Sequence, residues 1–133
     1  MITAVDTSVL IAIYRSEMDG QKWVARLADC RNEGLLVICD VVAAEFFSVI
    51  MDEREYTLVL RDLGLVLSPC NLETAKQAGR SFRQYRTQGG PRAHLIPDFL
   101  VGAHAQVQAD RLAALDGGFL RRYFAGVSLV ALP

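Results

Sequence analysis

The sequence predicts an α/β protein, built as a three-layer α/β/α sandwich around a mainly parallel central sheet. Three observations predict it. Short apolar runs at Ile2–Val5, Leu35–Cys39, Leu65–Leu67, Leu112–Leu115 and Val127–Leu132 alternate with longer stretches of helical periodicity. Those stretches are long enough to carry right-handed crossovers between parallel strands, which places helices on both faces of the sheet. The 133 residues are 52% hydrophobic and 22% charged, a globular balance that fills one domain over residues 1–133.

Each element has a local reason. The first run ends at Asp6, and a helix is expected from Thr7 to about Arg15. Asp19 to Arg31 is amphipathic, with Trp23, Val24, Leu27 and Ala28 on one stripe, and Gly34 stops it. Asp40 is expected to cap a helix from Val41 to about Asp52, and a further helix covers Glu53–Asp62 before Gly64. Ser68-Pro69 closes the third strand, and Asn71 caps a long polar helix from Leu72 to about Arg86. Gly89-Gly90-Pro91 marks a loop, and Pro97 suits the first turn of a helix running to Ala109. Asp116 follows the fourth strand.

Charge and cysteine usage narrow the function classes. Fourteen basic against fifteen acidic residues give a formal charge of −1, which excludes a histone-like positive coat and a polybasic membrane patch. The three cysteines, Cys30, Cys39 and Cys70, are odd in number and lack C-x-x-C spacing. Neither a disulfide framework nor a zinc site is expected of them; they read as small buried hydrophobes in a reducing cytoplasm. Gly34–Met51 is the most apolar stretch, but Asp40 and Glu45 would each cost about 2.5–3.5 kcal/mol near a bilayer centre. The opening Met1–Asp6 has no basic leader. A soluble cytoplasmic protein is the expectation.

In parallel α/β folds the site lies beyond the carboxyl ends of the strands, and that rule ranks the acids. Asp6 and Asp116 follow the first and fourth strands. Glu45 sits in a helix whose neighbours are almost all apolar, so the sequence predicts a buried carboxylate that must be paired or must bind a cation. Asp98 opens a helix whose own face continues through Val101, Gly102, Ala105 and Ala109, which predicts an inward-pointing acid. Four like charges at one sheet end repel, by about 1 kcal/mol per water-screened pair at ~4 Å and several times more in a dry cleft. A divalent cation removes that penalty, and all-oxygen ligation selects Mg²⁺ or Mn²⁺. Such clusters serve phosphoryl chemistry. The absence of G-x-G-x-x-G and G-x-x-x-x-G-K favours a phosphodiester held by arginines, with Arg80, Arg83, Arg86, Arg92, Arg121 and Arg122 as candidates.

These residues resemble the PIN-domain nucleases. The resemblance rests on Val5-Asp6-Thr7-Ser8-Val9-Leu10, on Ala43-Ala44-Glu45-Phe46, on Pro97–Ala105 with Asp98, and on Leu115-Asp116-Gly117-Gly118-Phe119. The closing Tyr123–Val127 and Pro133 are similar to the VapC-type toxins of that family. The resemblance implies a PIN-like fold and a Mg²⁺- or Mn²⁺-dependent endoribonuclease, the toxin of a toxin–antitoxin pair. It implies that Asp6, Glu45, Asp98 and Asp116 bind the metal, with Ser8 as a supporting hydroxyl; of the candidate arginines, Arg86 and Arg92 are the expected substrate contacts. It also implies a homodimer and an antitoxin that blocks the acidic site. Ala114-Leu115 departs from the polar pair many relatives carry before the fourth acid. The rival reading is a PIN-like binding or scaffold module without catalysis, against which the presence of all four acids argues. A dehalogenase-like phosphatase would need a second acid where Ser8 stands, and a G-x-S-x-G hydrolase motif is absent.

Overall fold

The computed structural model describes residues 1–133. The chain runs β1 (Ile2–Val5), α1 (Thr7–Tyr14), α2 (Gly20–Glu33), β2 (Leu35–Ile38), α3 (Asp40–Ile50), α4 (Glu53–Leu63) and β3 (Leu65–Leu67). It continues through α5 (Leu72–Thr87), α6 (Ile96–Gln108), β4 (Arg111–Ala113), α7 (Gly118–Tyr123) and β5 (Ser128–Leu129). The five strands form one sheet in the order β3-β2-β1-β4-β5, and every pairing is parallel.

That order creates the site. The chain builds outward from β1 through β2 to β3, then returns to lay β4 and β5 on the other side. Connections leaving β1 and β4 diverge, and a crevice opens at their carboxyl ends, the switch point where α/β folds bind ligands. Thr3 sits opposite both Leu36 of β2 and Arg111 of β4, so β1 is the centre of the sheet.

The pleat divides the core. Leu36 and Ile38 face one layer, where they pack with Val9, Leu10, Leu27 and Phe46 of α1, α2 and α3. Val37 points the other way and joins Leu112, Phe99, Ala103 and Phe124 beneath α5, α6 and α7. The amphipathic stripe of α2 is Trp23, Leu27 and Cys30, whereas Val24 and Ala28 are exposed. Asp6, Asp52 and Asn71 cap α1, α4 and α5 by accepting from backbone N–H groups, and Gly64 ends α4 in the left-handed region at φ 74°.

Two local expectations are corrected, and one helix is added. Asp40 is the first residue of α3, after Cys39 at the cap, and its carboxylate accepts the Cys70 N–H at 3.0 Å rather than capping its own helix. The fourth strand ends at Ala113, because the Leu115 N–H turns away from the ladder and donates to Ser8 Oγ at 3.2 Å. The six-residue α7 was hidden in Gly118–Tyr123, which is too short to display a helical period. No helix is long and apolar enough to cross a membrane.

Candidate functional site

Asp6, Glu45, Asp98 and Asp116 all line one cavity of about 170 Å³, together with His94, Val101, Phe119 and Leu120. Four separate stretches of chain supply the acids: the β1–α1 junction, α3, the first turn of α6, and the segment after β4. The strand-end rule and the helix patterns thus single out residues that line one cavity.

Each carboxylate is oriented by donors from its own neighbourhood. Asp6 Oδ2 accepts from the Ser8 hydroxyl at 2.5 Å and from the Ser8 N–H at 3.2 Å. Because Ser8 Oγ also accepts the Leu115 N–H, a single hydroxyl ties Asp6 to the residue preceding Asp116. Glu45 Oε1 accepts from Thr7 Oγ1 at 2.8 Å, and Asp116 Oδ1 accepts from the Gly118 N–H at 3.0 Å. Asp98 Oδ2 accepts the Leu95 N–H at 3.2 Å and lies 3.5 Å from His94 Nδ1.

The expectation that Glu45 is buried is wrong. Val42, Phe46 and Ile50 carry the core face of α3, while Ala44, Glu45 and Ser48 are exposed. The helix looked buried because its solvent face is also built from small and apolar residues, so Glu45 stands on the rim of the cavity. Asp98 is likewise exposed, with its side chain turned back on the start of α6.

None of the four acids is ion-paired to a lysine or an arginine; the one basic side chain in contact is His94, beside Asp98. A salt-bridge explanation for the cluster therefore fails. The four acids offer carboxylate oxygen only, which fits a hard divalent cation of the Mg²⁺ or Mn²⁺ kind, and His94 adds the one ring nitrogen in the cavity. The acids ring the cavity without meeting at a point, since no three of their oxygens lie within 4.8 Å of one another.

A second cavity of about 540 Å³ adjoins the first and shares His94, Asp116 and Phe119 with it. Its walls are the Gly89-Gly90-Pro91 loop, the rings of Tyr85 and Tyr123, and Arg122. His94 stacks on Phe119 with centroids 4.0 Å apart. Arg86 and Arg92 line neither cavity; Arg86 Nη1 donates to the Gly90 carbonyl at 3.1 Å and braces the loop. Thr7 and His94 are site residues that the sequence reading missed. The spacing of His94 four residues before Asp98 was a signal for one of them, and nothing in the sequence paired Thr7 with Glu45.

Fold and site together define a parallel-sheet α/β protein with an acidic cleft at its topological switch point. Residues 3–125 match the family model described as PIN domain, and the chain belongs to that family. No curated protein matches the sequence significantly. Among solved structures, the chain is similar to one in VapBC2 from Rickettsia felis bound to a DNA fragment from their promoter. The two share 17% identity over 98% of each chain, with a TM-score of 0.77. It is also similar to a chain of VapBC-1 from nontypeable Haemophilus influenzae, at 15% identity over 99% of this chain and 98% of that one, TM-score 0.72. A third likeness is to a toxin-antitoxin complex from Klebsiella pneumoniae, at 15% identity over 98% of each chain, TM-score 0.66.

Proposed function

We propose that this chain is an endoribonuclease dependent on Mg²⁺ or Mn²⁺ that acts as the toxin of a toxin–antitoxin pair in the cytoplasm. One observation carries the reading: four carboxylates from four stretches of chain line a single cavity with no lysine or arginine to neutralise them. Membership of the PIN family and likeness in fold to chains of toxin–antitoxin complexes support it.

On this reading Asp6, Glu45, Asp98 and Asp116 hold the cation. When bound, it supplies neutralisation of charge at the scissile phosphate and a more acidic attacking water. The chain's own part is orientation. Ser8 fixes Asp6 against the end of β4, Thr7 fixes Glu45, and the amides of Leu95 and Gly118 fix Asp98 and Asp116. Such fixed groups need little rearrangement when charge develops. The adjoining cavity offers the faces of Tyr85, Tyr123 and Phe119 to a flanking nucleotide and Arg122 to its phosphate. Arg86 and Arg92, at the rim of the Gly89-Gly90-Pro91 loop, serve as outer phosphate contacts. A cognate antitoxin and a second copy of the chain complete the assembly.

The test is cleavage of a mixed structured-RNA pool by the wild type, Asp6→Asn and Asp98→Asn, with Mg²⁺ or Mn²⁺ and with chelator. Salt is kept low because phosphate contacts weaken steeply as it rises. Metal-dependent cutting by the wild type alone is expected. Equal cutting by all three proteins, or cutting by the wild type in chelator, would refute the assignment.

A further inference from the structure

Away from the acidic cleft, the ends of β2 and β3 bring together two thiols and a carboxylate that the proposed reaction does not use. We propose that Cys39, Asp40 and Cys70 form a second metal site, selective for a thiophilic divalent cation of the zinc class. Their sulfur and carboxylate oxygen atoms all lie within 4.8 Å of one another. A tetrahedral zinc with bonds of about 2.3 Å to sulfur and 2.1 Å to oxygen holds its ligand atoms roughly 3.5–3.8 Å apart. A contraction of about 1 Å, within reach of side-chain torsions, closes the set on an ion.

The backbone has already fixed the frame. Ile38 and Leu67 are the last paired residues of β2 and β3, so the two chains leave the sheet side by side. Ser68 N–H donates to the Ile38 carbonyl at 2.8 Å, and Cys70 N–H donates to Asp40 Oδ1 at 3.0 Å. Gln108 of α6 pins the same turn from outside: its Nε2 donates to the Pro69 carbonyl at 3.1 Å and its Oε1 accepts the Asn71 N–H at 2.9 Å. Ligands held on such a frame lose little freedom on binding. Asp40 spends one oxygen on the turn and keeps the other for a cation.

A divalent cation deprotonates the thiols it coordinates. Asp40 is exposed and has no lysine or arginine partner, so solvent reaches the fourth ligand position.

The experiment is a Co²⁺ titration of the reduced full chain, followed by thiolate-to-cobalt charge-transfer absorption. The all-oxygen cleft cannot produce that band. One equivalent per chain is expected, displaced by Zn²⁺ but not by excess Mg²⁺, retained in Asp6→Asn and lost in Cys70→Ser. Circular dichroism checks that Cys70→Ser, at a half-buried position, stays folded. Asp40→Asn provides a second variant, expected to weaken Co²⁺ binding about 10-fold or more. No band from a protein whose thiols titrate as free would overturn the proposal. So would a band that survives Cys70→Ser, or recovery of the pair as a disulfide without metal. Each outcome is independent of whether the acidic cleft cuts RNA.

Discussion

Ser8→Ala removes the one hydroxyl that links the first and fourth acids, and its cost can be worked from the two bonds lost. The Oγ–H to Asp6 bond, at 2.5 Å to a carboxylate, belongs to the class of charge-assisted bonds worth about 1.5–3 kcal/mol. Asp6 is half-exposed, so water recovers part of this and about 1 kcal/mol remains. The Leu115 N–H loses its acceptor at a half-buried position, for about another 1 kcal/mol. The Ser8 N–H to Asp6 bond survives, so α1 keeps its cap. The sum, about 2 kcal/mol, corresponds to a drop in Tm of roughly 6–10 °C for a chain of this length. Because Ser8 holds both ends of the cleft, Mn²⁺ affinity should fall about 10- to 100-fold, as when a group supporting a metal ligand is lost. Calorimetric melting and a Mn²⁺ titration of wild type and variant give both numbers. A Tm within about 1 °C of wild type, with unchanged Mn²⁺ affinity, would refute the claim that this hydroxyl couples the acids.

Other consequences follow from single contacts. Thr7→Val removes the bond to Glu45 at an exposed position, so stability should move by less than about 0.5 kcal/mol while RNA cleavage falls; an unchanged cleavage rate would show that Glu45 needs no such support. A Cβ at Gly102 would stand 2.5 Å from two ring carbons of the buried Phe124. Gly102→Ala should therefore cost about 1–2 kcal/mol in a urea melt, overpacking outweighing the helix-propensity gain of roughly 1 kcal/mol. His104 is buried against Ser68, and burial lowers its pKa below the ordinary value of 6.5 despite the opposing charge of Asp40. Below that value the unfolded chain takes up a proton that the folded chain resists. Stability should fall as the pH drops from about 6.5 towards 5, and His104→Gln should flatten that limb of the urea-midpoint profile.

The fold was legible because its strands are short apolar runs separated by punctuated helices, and because Asp6 and Asp116 stand where a parallel sheet puts its chemistry. Glu45 was found for a reason only half right. Apolar neighbours made it look buried, whereas α3 divides its apolar residues between the core and a bare outer face. A helix wheel registers composition; it cannot tell which face has been covered. What stayed hidden depends on contacts far apart in the chain. The bond from Thr7 to Glu45 and the meeting of Cys39 with Cys70 both arise from where the sheet delivers chain segments, and spacing rules written for local motifs do not see them.

The two strand-end clusters have opposite ligand chemistry, and the strand order explains how one small chain can keep them apart. Two of the acids follow β1 and β4, where connections diverge and leave an open crevice, and α3 and α6 bring the other two to its rim. The thiols hang on β2 and β3, whose chains leave the sheet in parallel and are pinned together by backbone bonds. An open ring that does not converge suits a hard cation that retains water and works on a phosphate. A pinned turn with two sulfurs suits a borderline-soft cation that stays. On affinity alone zinc would outcompete magnesium at any oxygen site, but where zinc is scarcer than the chain a thiolate site of higher affinity takes it first and leaves the cleft to magnesium. The second site would thus act on the first without touching it.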